Sequence, residues 1–285
     1  MQKYLRGIGQ VMFQNNIYSG ILFLGGIFYN SWQLGLAALF GTIISTTTAR
    51  ILKYPKEDTQ NGLYGFNGTL TGIAVLCFFE INAATILAII IGAALSTFIM
   101  HYLKKITPPF TAPFVIATWF VIYSLLFVFK FPLLSSSELT GNVINILSAS
   151  SNSLGQVMFQ KNVITGLFFL LAIFINNKMM AVYAVYAAVL GSLTGLLFLA
   201  PISVVNEGLM GYNAILCAIA LTGKRWKDFL WITIAIILST LLNIGLAMTG
   251  IITLTAPFVV TTWVVLKMMK IEKLKFKKVT VKAKV

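Results

Sequence analysis

The chain contains two copies of one sequence pattern, and this long-range duplication restricts its fold more than any other feature. Three blocks recur in the same order, at offsets of 144 or 146 residues: QVMFQ at 10–14 and 156–160, GLYGFN at 62–67 and GLMGYN at 208–213, and TAPF at 111–114 and 255–258. A period of this length excludes arrays of short repeats, whose units have about 20–50 residues. The pattern predicts two homologous halves, residues 1–134 and 152–270, with a linker over 135–151 and a basic tail over 271–285.

The scarcity of charge argues against a water-soluble fold. Hydrophobic residues make up 58% of the chain and charged residues 10%, whereas soluble domains carry about 25% charged residues. Intrinsic disorder requires the opposite composition, with few apolar side chains. We therefore predict an integral membrane protein.

Each half contains five apolar stretches. They lie at 17–29, 33–49, 63–79, 83–103 and 110–129 in the first half, and at 163–175, 179–200, 208–223, 229–249 and 256–266 in the second. Several are shorter than the roughly 20 residues that a perpendicular helix needs to cross a bilayer, so we expect discontinuous or tilted helices. The fold class predicted is an all-α polytopic membrane protein with two repeats of five transmembrane helices each. An odd number of crossings reverses the second half, so the repeats should be inverted.

The basic residues support this inversion. Arg50, Lys53 and Lys56 follow the second stretch of the first half, whereas the matching loop of the second half has no basic residue. When ten crossings are threaded with the N-terminus inside, only Lys130 and Lys161 of the 21 lysines and arginines fall outside. The bias predicts a multi-pass protein of the cell (plasma) membrane with both termini cytoplasmic. The lysine-rich tail is typical of attachment to anionic lipid, and we expect no nucleic-acid partner.

The uncharged interior of the apolar stretches narrows the function. They contain no Asp, Glu, Lys or Arg, which disfavours coupling to protons or sodium, because such coupling needs an ion-binding group in the membrane. One histidine (His101) and two separated cysteines (Cys77 and Cys217) offer no metal shell and no catalytic triad. We expect no enzyme, no metal and no cofactor. Passive passage of a small neutral solute remains, and urea, ammonia, water and short amides are all open at this point.

The duplicated blocks resemble the urea transporter family, of the bacterial type. The resemblance rests on GLYGFNG at 62–68, on QVMF at 10–13 and 156–159, and on Pro108-x-x-Thr111-x-Pro113-Phe114. The second copy departs from this pattern, with Ile252 in place of the leading proline and Tyr212 in place of Phe66. The resemblance implies channel-like facilitated diffusion of urea, a re-entrant pore helix in each repeat, and a homotrimer with one pore per subunit.

The resemblance also implies a set of pore-lining residues. These are Gln10, Phe13, Phe66, Leu70 and Thr111 in the first half, and Gln156, Phe159, Tyr212, Leu216 and Thr255 in the second. Urea carries four N–H donors and one carbonyl acceptor, so a selective pore should present acceptors to its edge and flat apolar walls to its faces. Each type also has a structural interpretation, since membrane aromatics usually pack, glutamines bond neighbouring helices and threonines satisfy carbonyls near prolines.

Overall fold

The computed structural model describes residues 1–134 and 143–282, and the regular elements in these ranges are helices. The first half contains α1 Gln2–Gln10, α2 Ile17–Asn30, α3 Trp32–Ile51, α4 Lys56–Gln60, α5 Gly65–Phe78, α6 Ala83–Leu103 and α7 Ala112–Tyr123, which continues as a π-helical turn over Ser124–Val128. The second contains α8 Ile146–Gln156, α9 Val163–Asn176, α10 Lys178–Leu197, α11 Ile202–Asn206, α12 Tyr212–Ala220, α13 Trp226–Met248 and α14 Ala256–Lys282. Each of the ten predicted apolar stretches overlaps one of these helices.

Four of the described helices are long and apolar enough to cross a bilayer: α3, α6, α10 and α13. The shorter apolar helices include α2, α5 and α9, together with α7 and its π-helical turn. The prediction of an all-α polytopic membrane protein is confirmed, and so is the expectation that several helices fall short of a full span. The predicted linker begins outside the described residues, and its last part, residues 146–151, belongs to α8. The predicted tail continues α14 to Lys282, and residues 283–285 lie outside the described part.

Local signals in the sequence explain where the helices begin. The side chain of Asn16 accepts hydrogen bonds from the backbone amides of Tyr18 and Ser19 at the start of α2, and Asn162 caps α9 through Thr165 in the same way. An asparagine oxygen at this position satisfies backbone donors that have no partner within the helix. The two halves therefore use the same residue type to begin equivalent helices.

Contacts between the halves come in reciprocal pairs. The Ser19 hydroxyl donates to the Ala172 carbonyl at 2.7 Å, and the Thr165 hydroxyl donates to the Gly26 carbonyl at 2.9 Å. Ser19 and Thr165 are equivalent in the two halves, as are Gly26 and Ala172. The rings of the equivalent residues Phe23 and Phe169 meet edge to face, with centroids 5.0 Å apart. These bonds fasten α2 to α9 in the centre of the molecule.

A second reciprocal pair closes the other side of the interface. The Trp119 indole N–H donates to the Ile252 carbonyl, and the Trp263 indole N–H donates to the Pro108 carbonyl, each at 2.7 Å. Each tryptophan thus holds the segment that precedes the TAPF block of the other half. The interface places both blocks side by side.

Candidate functional site

The two threonines of the TAPF blocks meet in the middle of the molecule. Thr111 and Thr255 are each 1% exposed, and their Oγ1 atoms lie 2.6 Å apart, so that one hydroxyl donates to the other. Their carbonyls accept the amides of Val115 and Val259, which begins α7 and α14. We call this pair of hydroxyls the waist. It is a polar point that both halves build together.

The backbone turns sharply just before the waist. Phe110 has a φ of 46° and Leu254 a φ of 45°, so both equivalent residues adopt the left-handed region that is unusual for residues with side chains. Pro113 lies in the first turn of α7, where a missing N–H costs no helical hydrogen bond. The turn and the proline together direct each threonine toward its counterpart.

Two buried asparagines cap the helices that follow the waist. The Phe114 amide donates to Asn67 Oδ1 at 3.1 Å, and the Phe258 amide donates to Asn213 Oδ1 at 3.2 Å. Both amides belong to the first turn of their helices, where backbone donors have no acceptor within the helix. The asparagines therefore satisfy two backbone donors beside the waist.

The predicted glutamines lie at equivalent places on either side of the waist. Gln10 donates from Nε2 to the Asn61 carbonyl at 3.0 Å, and Gln156 donates from Nε2 to the Glu207 carbonyl at 3.0 Å. Both side chains are half-buried. Since the nitrogens are used in this way, the oxygens Oε1 of Gln10 and Gln156 keep no hydrogen-bond partner among the described residues. Each glutamine offers one oriented acceptor.

The predicted rings Phe13 and Phe159 each lie against the TAPF phenylalanine of the opposite half. The Phe13 and Phe258 centroids are 6.1 Å apart, and those of Phe159 and Phe114 are 6.3 Å apart. Phe13 also contacts Phe110, at 6.1 Å. Both Phe13 and Phe159 have a φ near 60°, so the backbone at these two positions has the same unusual conformation.

The remaining predicted residues belong to one apolar cluster. Phe66 and Tyr212 are 6% and 8% exposed, and Leu70 and Leu216 are fully buried in the same cluster. Leu70 lies one turn after Phe66 on α5, as Leu216 lies one turn after Tyr212 on α12. Phe13 and Phe159 pack against the same cluster, which also contains Ala112 and Leu254, the sequence neighbours of the waist threonines.

Sequence reasoning missed several groups that shape this core. Asn61 and Glu207 hold the glutamines through backbone carbonyls, which no side-chain pattern reveals. The Tyr212 hydroxyl donates to the Leu254 carbonyl at 2.7 Å, next to the waist. The one signal for this bond in the sequence is Tyr212 itself, which stands where the first half has Phe66.

Several ionic groups in the described part of the chain form ion pairs. Lys104 pairs with Asp58, and Lys161 pairs with Glu207. Burial alone would lower the pKa of Lys104, but the hydrogen bonds that its ammonium donates to Asp58 and Tyr64 raise the pKa overall, so this group stays charged. No cluster of metal-ligating side chains occurs in residues 1–134 and 143–282. The core can offer hydrogen bonds to a neutral solute, but it holds no charge at its centre.

Comparison with known proteins identifies similar sequences. The family model described as urea transporter matches residues 1–270. Urea transporter 1 of Rattus norvegicus is 31% identical over 246 residues, which cover 78% of this chain and 63% of the relative, and the Mus musculus protein matches equally. Urea transporter 1 of Capra hircus is 28% identical over 287 residues, covering 90% of this chain and 74% of the relative. The chain thus spans less than two thirds of the length of the rodent relatives.

Proposed function

The chain belongs to the urea transporter family, and from that premise we propose that it is a passive, channel-like pathway for urea. One observation carries the proposal: among the described residues, the polar side chains that both halves bring together at the waist are uncharged. The Thr111 and Thr255 hydroxyls form the waist, with the unpaired oxygens of Gln10 and Gln156 on either side. Such a line of acceptors suits a neutral molecule rich in N–H donors.

Urea is such a molecule. It is planar and uncharged, with four N–H donors against one carbonyl. An N–H that leaves water and finds no partner costs about 1–3 kcal/mol, so acceptors spaced along the path lower the barrier. The rings of Phe13, Phe66, Phe159 and Tyr212 supply flat apolar walls for the faces of the molecule. Leu70 and Leu216 narrow the path between them.

The proposed architecture is a pair of inverted halves, residues 1–134 and 152–270, with five crossings and one re-entrant pore helix in each. The reciprocal bonds support a two-fold relation, because contact of residue i with j and of j with i is what a two-fold axis produces. An axis in the membrane plane places the waist at mid-depth. The basic loops then lie inside, with both termini cytoplasmic in the plasma membrane.

The same bonds favour a channel over a rocking carrier. Alternating access requires one half to move against the other. Here buried hydrogen bonds and the Phe23–Phe169 ring contact fasten the halves from α2 and α9 to the waist. The assembly proposed from the family resemblance is a homotrimer with one such path per subunit, and native mass spectrometry in detergent tests it.

The experiment is a stopped-flow measurement on proteoliposomes that contain the purified chain. Urea influx should exceed that of empty vesicles and should not change when proton and sodium gradients are collapsed. Flux that needs either gradient would contradict the channel. Ammonia and water permeabilities, measured in the same vesicles, distinguish a urea path from a path for other small neutral solutes. Release of ammonium from urea would instead favour an enzyme.

A further inference from the structure

The polar surroundings of the waist differ between the halves. We call Phe66, Asn67 and Phe110 the first corner, and their equivalents Tyr212, Asn213 and Leu254 the second corner. In both corners the asparagine oxygen accepts the first-turn amide of Phe114 or Phe258. Each corner also contains the asparagine NH₂ group and the backbone carbonyl of Phe110 or Leu254, and the two corners treat these groups differently.

The second corner is satisfied by the protein itself. The Tyr212 hydroxyl lies 2.7 Å from the Leu254 carbonyl and 3.0 Å from the Thr253 hydroxyl. Asn213 Nδ2 donates to Asn243 Oδ1 at 3.4 Å and to the Leu254 carbonyl at 3.5 Å. The carbonyl and the NH₂ group both have partners here, so the corner offers little to a solute.

The first corner is left open. Phe66 has no hydroxyl, and the Phe110 carbonyl accepts no hydrogen bond from the described part of the chain. Asn67 is fully buried, yet its Nδ2 has no partner among those same residues. Pro109 and Thr97 stand where the second half has Thr253 and Asn243, and the Thr97 hydroxyl bonds to the Ala93 and Ser45 carbonyls instead.

A buried donor that has no acceptor is unusual. A buried N–H without a partner costs about 1–3 kcal/mol, and native structures leave few such groups unpaired. Asn67 is fixed in orientation because its oxygen is already held by the Phe114 amide, so its NH₂ group cannot turn away to find another acceptor. This donor therefore has no acceptor among the described residues, and a solute carbonyl can supply one.

We propose that the first corner is a hydrogen-bonding subsite for the amide group of the solute, and that the Tyr212 hydroxyl closes the second corner to it. This inference rests on the proposed function. Asn67 Nδ2 donates to the solute carbonyl, and the Phe110 carbonyl accepts a solute N–H. The path is therefore one-sided at its centre: urea binds on the Phe66 side of the waist, and Tyr212 is a specificity-determining residue through the bond that it makes to Leu254.

The test moves the hydroxyl from one corner to the other. Phe66→Tyr gives the first corner the hydroxyl that fills the second, and urea flux in proteoliposomes should fall about tenfold or more. Tyr212→Phe removes the hydroxyl from the second corner and frees the Leu254 carbonyl, whereas Asn213 Nδ2 keeps Asn243 Oδ1 as its acceptor. The double variant Phe66→Tyr/Tyr212→Phe moves the hydroxyl to the other corner, and its flux should recover to at least about threefold above that of Phe66→Tyr.

Recovery of flux in the double variant distinguishes closure of the first corner by the new hydroxyl from damage to the packing. If Phe66→Tyr only disturbs packing, the double variant stays as slow as the single one, and the proposal is overturned. The proposal also fails if Phe66→Tyr keeps the original urea flux, or if it lowers water permeability alone. The corner is then not a site for the amide group.

A direct structural measurement keeps this inference distinct from the transport assay. A high-resolution structure with urea should show one molecule between Asn67 Nδ2 and the Phe110 carbonyl, and none there in Phe66→Tyr. Density for urea at both corners, or at neither, overturns the proposal. If the original chain gives no urea flux above empty vesicles, the channel proposal fails, whereas the density still decides whether the first corner binds urea.

Discussion

Gln10 and Gln156 make the same hydrogen bond to the main chain, but the side chains around the two glutamines differ. Gln10 and Gln156 each donate to a backbone carbonyl at 3.0 Å. Around Gln10, the Asn15 side chain donates to Asn61 Oδ1 at 3.3 Å, a bond between two neutral amides. At the equivalent positions near Gln156 stand a lysine and a glutamate, which form an ion pair.

The difference shows which part of each site is constrained. The glutamine is held by the main chain of residue 61 or 207, so the side chain of that residue can be neutral or charged without moving the acceptor. The main chain is fixed by the next residue, Gly62 or Gly208, which has a φ of 76° or 82°. The conserved element of the two sites is thus a backbone turn, and the variable element is the chemistry on its outer side.

The largest expected effect comes from the turns themselves. A Cβ at Gly62 would lie 2.3 Å from the Gly7 nitrogen, and one at Gly208 would lie 2.3 Å from the Ser153 nitrogen. An L residue with positive φ already costs about 1–2 kcal/mol, and here the backbone clash adds to it. Gly62→Ala and Gly208→Ala should both sharply reduce the yield of monodisperse protein and the unfolding temperature in detergent.

Gly250→Ala is the matched control for these variants. Gly250 has a φ of 77°, but nothing lies within 4 Å of its Cβ position. Gly250→Ala should therefore lose only the energy of placing an alanine at positive φ, and the protein should still fold. If all three alanine variants behave alike, close approach of the backbone does not constrain the turns.

The next effect concerns the waist, where the halves are chemically identical. Thr111→Val and Thr255→Val each remove one hydroxyl and keep the shape, so a passing N–H loses an acceptor worth about 1–3 kcal/mol. Urea flux should fall roughly ten- to a hundredfold, and by similar amounts in the two variants. If the double variant Thr111→Val/Thr255→Val expresses normally and keeps the urea flux of the original chain, the two hydroxyls bond only to each other and do not act on the solute.

A smaller effect is expected at the glutamines. Gln10→Leu and Gln156→Leu each remove one acceptor of about 0.5–1.5 kcal/mol, so flux should fall about two- to tenfold. The measurement is stopped-flow urea influx, with Gln60→Leu as control because Gln60 is exposed. A large loss at one glutamine and none at the other would contradict equivalent sites.

The smallest effect should come from the variable side chains. Lys161→Asn with Glu207→Asn converts the ion pair into the neutral pair of the other site. Exposed ion pairs contribute about 0–1 kcal/mol, so the free energy of unfolding should change by less than about 1 kcal/mol. Urea flux should be unchanged, and the unfolding temperature should depend less on salt. A loss of flux comparable with that of Gln156→Leu would give the outer side chains a role in conduction.

The duplication made much of the core predictable. Equivalent residues of a two-fold pair can meet at its axis, and the Thr111 and Thr255 hydroxyls do lie in contact. The apolar stretches located the helices for the same reason, since hydrophobic length is a direct property of the sequence. Passage of solute past these residues stays a prediction.

Contacts between distant side chains and backbone were not predictable. Asn67 and Asn213 cap helices that begin about 45 residues later in the chain, at the TAPF blocks. The last part of the predicted linker is helical because Asn145 accepts the Ser148 amide and begins α8, which the serine-rich composition conceals. Such pairings depend on the folded path of the chain.

The exchanged tryptophans have a consequence for biosynthesis. Trp119 and the Pro108 carbonyl belong to the first half, but their partners, Ile252 and Trp263, lie 133 and 155 residues further along the chain. Translation adds about 5–20 residues per second, so the Pro108 carbonyl waits roughly 10–30 s for the Trp263 indole. An unpaired polar group in lipid costs several kcal/mol. During that interval the half-synthesised chain lacks these two hydrogen bonds. Insertion factors and membrane proteases can then distinguish it from the finished protein.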